Sequence, residues 1–476
     1  MGRLFESFSV LLCALALALS SPAALTRADR GADPPADNVA VQWNQLYSVL
    51  ACAQLSQVGL PIEPNIIFSQ LHLAQWHALL ALKNTGACTT QEVVVAYASH
   101  KILSNYFPFG QVLVIDPLLN AQLKKLRVSD EEDKLGRQLG EAVALDLIAK
   151  RVTARESALR ALKKALDAEA YAPRPGVYRY LNNTPAGRDD ATFWFYNIPI
   201  ARPFVIPEPS MFIKAFLSDL KPPKVPSDQW DIEYEKVKDL GRADWSGRTR
   251  EMNDTANQSC LKLNNVACFP EETWSAVARA TLPRGTSLFD TVTLFAKLSV
   301  AMHDTLIVLF TLQYGFWFWR PEMAFKAGDP RHAPIPTWTP YLQTVPHPEY
   351  PSGSVSSYAA AATILEDLIG KNVPFTIQGG GVFGPGCPAQ GPIPGLNFTS
   401  FRDLVRYTQQ SRVFAGQHFN KSVVDAVKVG DSVADYVQAN WALETPSGVL
   451  PNPAYLKVFA ELPRVQTDFD PIKLVF

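Results

Sequence analysis

"SRVFAGQHFNKS", residues 411–422, sets an arginine and a histidine six residues apart with Gly416 between them. A glycine there permits a close backbone approach, which turns both side chains toward one cavity. Arg412 offers a planar fork of donors suited to a tetrahedral oxyanion. A neutral His418 offers a ring nitrogen that attacks phosphorus or coordinates a metal oxyanion. Taken alone, the segment reads as a surface arginine beside a satisfied buried histidine.

Two upstream segments change that reading. "FWRPEMAFKAGDP", residues 318–330, places Arg320 directly before Pro321 at a predicted helix end. Such an arginine by itself does no more than satisfy terminal carbonyls. "PHPEYPSGSVSSYAAAATILEDL", residues 346–368, runs from a proline-punctuated loop through Ser352 and Gly353 into an alanine-rich helix. The free backbone N–H groups at such a helix start form an anion seat.

In the order RP … PSG … SRxxxGxH, the three segments resemble the vanadium-dependent haloperoxidase and type 2 phosphatidic acid phosphatase superfamily. The flanks "AGDP", "PTWTPYLQTVPHPEYPSG", "ARPFVIPEPSMF" and "EYEKVKDLG" add to the resemblance, which runs from about Val39 to the C-terminus. It implies an all-α fold, a helical bundle of the vanadium haloperoxidase and acid phosphatase type, enclosing a pocket for vanadate or, alternatively, phosphate. Carried over, Arg320 and Arg412 clamp the oxyanion, and Ser352 and the Gly353 N–H donate to its oxygens. His418 is the axial metal ligand of a peroxidase or the nucleophile of a phosphatase.

Three positions depart from the family pattern. Ser354 stands where an acid–base histidine usually follows PSG, and a hydroxyl titrates too far from neutrality to replace it. Gln313 stands where a lysine usually joins the oxyanion-binding set, and brings donors without charge. Ser422 stands where a carboxylate usually orients the last histidine, and within "NKS" it also reads as part of a glycosylated turn. His347 reads as a loop residue, a proton relay being the lesser alternative. The expected function is a secreted haloperoxidase-like protein with an oxyanion pocket and weak or lost halide oxidation by hydrogen peroxide. An acid phosphatase-type hydrolase and a non-catalytic pseudoenzyme are the alternatives. The partner is a small-molecule substrate or anion.

The rest of the chain frames this expectation. Its 476 residues carry a formal net charge of -1, which argues against a broad nucleic-acid surface. Residues 1–24 read as a secretory signal peptide, 25–37 as a disordered leader, and 38–476 as one helical domain. The apolar run 294–319 is interrupted by Lys297, His303, Asp304 and Gln313 and reads as a buried helix, so no stable transmembrane anchor is expected. N-x-S/T sequons fall at Asn182, Asn253, Asn257, Asn397 and Asn420. Cys260–Cys268 and Cys52–Cys88 are candidate disulfides, leaving Cys387 odd. "GGGVFGPG", residues 379–386, lacks a strand–turn–helix context and reads as a loop, and His72 and His77 lack metal-pair spacing.

Overall fold

A computed structural model describes residues 25–26, 38–58, 64–151, 175–178, 198, 201–207, 209–216, 219–258, 270–377 and 396–441. Helices dominate, as the apolar periodicity predicts. They are α1 (Val39–Val58), α2 (Pro64–Thr85), α3 (Gln91–Tyr106), α4 (Asp116–Leu126), α5 (Asp130–Arg151), α6 (Pro209–Phe216) and α7 (Asp228–Leu240). There follow α8 (Arg250–Gln258), α9 (Pro270–Thr281), α10 (Leu288–Phe316), α11 (Pro321–Ala327), α12 (Gly353–Leu368), α13 (Phe401–Phe414) and α14 (Asn420–Ala439). Three short strands, β1 (Leu25–Thr26), β2 (Phe375–Ile377) and β3 (Leu396–Phe398), pair antiparallel in that order. Leu25 and Thr26 thus pair as a strand inside the stretch expected to be a disordered leader. The signal peptide, the remainder of the leader and the 379–386 loop lie outside the described residues.

The chain divides into two compact units. One comprises residues 1–152, 269–300 and 364–401, the other 153–268, 301–363 and 402–476. A single core stops growing near 250–300 residues, which favours such a division in a chain of this length.

In the first unit α5 lies along α3. On α5, Gly140, Ala144, Leu147 and Ile148 are buried, while Leu139 and Val143 are half-buried. A Cβ at Gly140 would sit 2.7 Å from the Val94 carbonyl oxygen, so glycine sets the approach. Helix α9 is buried along its whole length, with Glu271, Glu272 and Arg279 inside. Asn44 accepts from Arg279 and Ser275, and the ring of His72 bridges Asn44 and Gln75. Cys88 is exposed and free, which overturns its pairing with Cys52. Closeness in sequence does not bring two Cα atoms within disulfide reach. Cys260, Cys268 and Cys387 lie outside the described residues.

In the second unit Trp230 anchors α7, whose start is capped by Ser227 accepting from the Trp230 N–H. The Trp230 ring packs on Phe318, Trp319 and Phe419, and Phe419 also meets Phe325. The aromatic excursion read from the sequence is pinned by Asp304 of α10. Its carboxylate accepts from the N–H groups of Phe204, Val205 and Ile206 at 2.8, 2.8 and 3.0 Å. Helix α14 presses on α12 at Gly430, where a Cβ would lie 2.1 Å from the Ser356 carbonyl oxygen. Among the described helices α10 is long and apolar enough to cross a membrane, and 89% of its most apolar window is buried inside the protein, as in a core helix.

Candidate functional site

All the residues singled out from the sequence fall in the second unit. Gln313 sits near the end of α10. Arg320 caps α11 in extended conformation with Pro321 as the first helical residue, where proline loses nothing. Ser352 precedes α12, Gly353 opens it, Arg412 ends α13, and His418 lies two residues before α14. Gly416 has φ +71°, and its missing Cβ would lie 2.5 Å from the Gly241 carbonyl oxygen. Only glycine takes that turn without strain. The chain neighbours of the site, Phe318 and Trp319 beside Arg320 and Phe419 beside His418, are those that grip Trp230.

Arg320 is wholly buried, and its donors are all engaged. Nε donates to the His347 carbonyl at 2.9 Å. Nη1 donates to the Gln417 carbonyl at 2.9 Å and lies 3.1 Å from His418 Nε2. Nη2 donates to the Pro348 carbonyl at 3.2 Å and lies 3.0 and 3.2 Å from the two ring nitrogens of His347. Every acceptor in this set is neutral: three carbonyls and two imidazoles. The positive charge therefore has no anion in contact with it, although each N–H has a partner. Burial holds the Arg320 guanidinium down to about 10, still protonated near neutrality.

Since a guanidinium only donates, His418 Nε2 must be the accepting nitrogen. His418 Nδ1 then carries the proton and donates to Glu349 Oε1 at 2.8 Å. The same oxygen accepts from the Phe419 N–H at 3.0 Å. Burial, then Arg320 and Arg412, push His418 well below the ordinary histidine range, so the ring is neutral. Burial lifts the Glu349 carboxyl to about 8, against the pull of Arg320. Glu349 was missed in the sequence because it reaches His418 across 69 residues, where no local spacing rule applies. It corrects the expectation built on Ser422: the histidine does have a carboxyl partner. Ser422 is fully buried, 3.3 Å from His418 Nδ1 and from the Glu349 carbonyl, and so forms part of this site.

Gln313 and His347 form a second fixed pair. Gln313 Nε2 donates to the Pro351 carbonyl at 2.5 Å. Its Oε1 therefore faces His347 Nδ1 at 2.8 Å and accepts that proton. His347, expected as a loop residue, is buried against Arg320 and the edge of Phe310. Gln313, expected among the oxyanion donors, instead has both polar ends occupied by His347 and Pro351. Ser354 is half-buried on the first turn of α12.

The donor set nonetheless suits a tetrahedral oxyanion. Ser352 Oγ is buried with no hydrogen-bond partner. The Gly353 N–H belongs to the first turn of α12, whose amides have no intrahelical acceptor. Arg412 is 3% exposed and Arg320 0%, and each depresses His418 electrostatically. Vanadate or phosphate would meet His418 Nε2, Ser352, the α12 amides and two buried positive charges.

Comparison with known proteins bears on the fold. Residues 293–443 match the family model described as the VCPO second helical-bundle domain. The chain is similar in fold to a bacterial vanadium-dependent iodoperoxidase, with a TM-score of 0.61 and 17% identity, over 86% of this chain and 97% of that one. It is also similar to a bacterial vanadium-dependent chloroperoxidase in its holo form, with a TM-score of 0.57 and 15% identity over 80% and 92% of the two chains. The apo form gives 0.56 and 17% over 79% and 92%. No curated protein sequence matches. The chain has the helical fold of the vanadium haloperoxidases.

Proposed function

We propose that this VCPO-like protein binds a tetrahedral oxyanion, vanadate or phosphate, and that its turnover as a haloperoxidase is weak or lost. The observation that carries the reading is Arg320, a buried guanidinium whose contacts are all neutral, together with Ser352 in the same unit, a buried hydroxyl without a partner. A buried charge is costly unless an opposite charge meets it, and an oxyanion supplies that charge. When bound, vanadate would supply the Lewis-acid centre that activates hydrogen peroxide for halide oxidation. His418 holds its Nε2 lone pair toward the anion, because Glu349 takes the Nδ1 proton. Ser352 and Gly353 donate from the start of α12, and Arg412 adds charge.

The positions expected to handle protons are substituted. Ser354 cannot act as a base near neutral pH, and Gln313 brings no charge and is engaged elsewhere. A general acid–base group is worth about 10²–10⁴-fold in rate. The sequons and the signal-like N-terminus support placing the protein on the secretory route. Of the described sequons, Asn397 on β3 is exposed, whereas the Ser422 of the Asn420 sequon is buried in the site.

The test is bromide oxidation by the vanadate-supplemented protein, wild type against Ser354→His. The wild type is expected near background, with the variant rising about tenfold or more. Wild-type turnover that the added histidine leaves unchanged would contradict the loss of proton handling.

A further inference from the structure

Arg320 touches no anion, yet its donors are all taken. Two of its partners are side chains, and both matter for an incoming anion. One is His418 Nε2, the nitrogen that an oxyanion would have to reach. The other is the imidazole of His347, which stands at 3.0–3.2 Å from Nη2. The remaining acceptors are main-chain carbonyls of residues 347, 348 and 417, which a substitution leaves in place.

Resting on the oxyanion reading above, we infer that His347 is an internal competitor for that anion: its ring occupies the Arg320 donor that an oxyanion oxygen needs, and so sets the affinity of the site.

The tautomer supports this. The Pro351 carbonyl can only accept, so Gln313 must turn its nitrogen toward it and its oxygen toward His347. The Nδ1 proton of His347 is thereby committed to Gln313. Nη2 lies almost equally far from both ring nitrogens, 3.0 Å from Nδ1 and 3.2 Å from Nε2, so it meets the face of the imidazole and not its lone pair. A neutral ring held in this way covers that donor, supplies no negative charge and offers no proton to an anion there. Phe310, meeting the His347 ring edge-on at 5.4 Å, and the flanking Pro346 and Pro348 restrict the ring's escape. An arriving oxyanion therefore breaks the Arg320–His347 and Arg320–His418 contacts before it gains its own. Gln313 and His347 act together here, which gives the glutamine a role other than that of a weakened anion donor.

The experiment is calorimetric titration of orthovanadate, and separately of inorganic phosphate, into full-length wild type, His347→Ala, His347→Gln and the double variant His347→Ala/His418→Ala. Circular dichroism confirms that each is folded. The account expects His347→Ala to bind roughly tenfold more tightly than wild type, the size of one released hydrogen bond. His347→Gln, which keeps an acceptor, is expected to stay near wild type, and the double variant to lose binding. Saturable wild-type binding that is unchanged or weakened in His347→Ala would overturn the competitor role and leave the oxyanion reading standing. Absence of binding in both folded wild type and His347→Ala would overturn the oxyanion reading and the competitor role with it.

Discussion

The chemistry of this site is decided at the residue scale by which atoms hold which protons. Two histidines are fixed as Nδ1–H tautomers, His418 by Glu349 and His347 by Gln313; His418 turns its Nε2 lone pair toward Arg320, and His347 lays its ring against the same guanidinium. The sequence motif supplied Arg320, Ser352, Gly353, Arg412 and His418, and the structure gathers all of them in one unit. It did not reveal Glu349, whose partner is 69 positions away, nor the coupling of Gln313 to His347, which requires a turn at Pro351 that spacing does not encode. Outer contacts of this kind typically change metal affinity by about 10–100-fold. Glu349→Ala strands the His418 Nδ1–H and the Phe419 N–H, so orthovanadate affinity should fall by about that factor in a binding titration. Glu349→Gln keeps an acceptor and resembles the protonated carboxyl, so near neutral pH its affinity should stay within about threefold of wild type.

At the scale of elements, glycines and buried polar groups place the helices. Helix positions were partly legible in the sequence: the apolar run at 294–319 and the alanine-rich segment after Ser352, both read as helical, are α10 and α12. Close approach between helices was not legible, because it depends on which face each presents. Gly430 shows the difference. In an isolated helix, alanine in place of glycine stabilises by about 1 kcal/mol. Here the added Cβ would meet the Ser356 carbonyl at 2.1 Å and the Ala359 Cβ at 2.8 Å. Gly430→Ala should therefore lower the melting temperature, against its propensity. A second element-level prediction concerns α2 and α9. Burial lowers His72 from 6.5 to about 3, so between these values the unfolded chain binds the extra proton and stability falls as pH drops. Glu271 and Glu272 are raised by burial, Glu271 to about 7, so there the folded chain binds the extra protons and stability rises as pH drops toward 4.5. The two carboxyls outweigh the histidine above pH 4.5, and the histidine acts alone below it. Their combined contribution should peak near pH 4.5 and then fall by up to about 1.4 kcal/mol per unit. His72→Gln should abolish the acid-side fall attributable to this residue, measured by denaturant unfolding across pH 3–7.

At the scale of the whole molecule the chain forms two compact units, a division not legible in the sequence, because hydrophobic periodicity identifies helices without saying which of them share a core. The three-segment motif was more informative about the fold than the composition, since it tied residues 320, 352 and 412–418 to one site. On the proposed reading that site keeps its oxyanion-binding residues and has substituted proton-handling positions, so anion binding and turnover separate. The measurement that tests this most directly is a calorimetric titration of orthovanadate into the full-length protein and its His418→Ala variant. The account predicts weak, saturable binding by the wild type that is lost in the variant. A folded wild type that binds neither orthovanadate nor phosphate, or binding that survives the loss of His418, would contradict it.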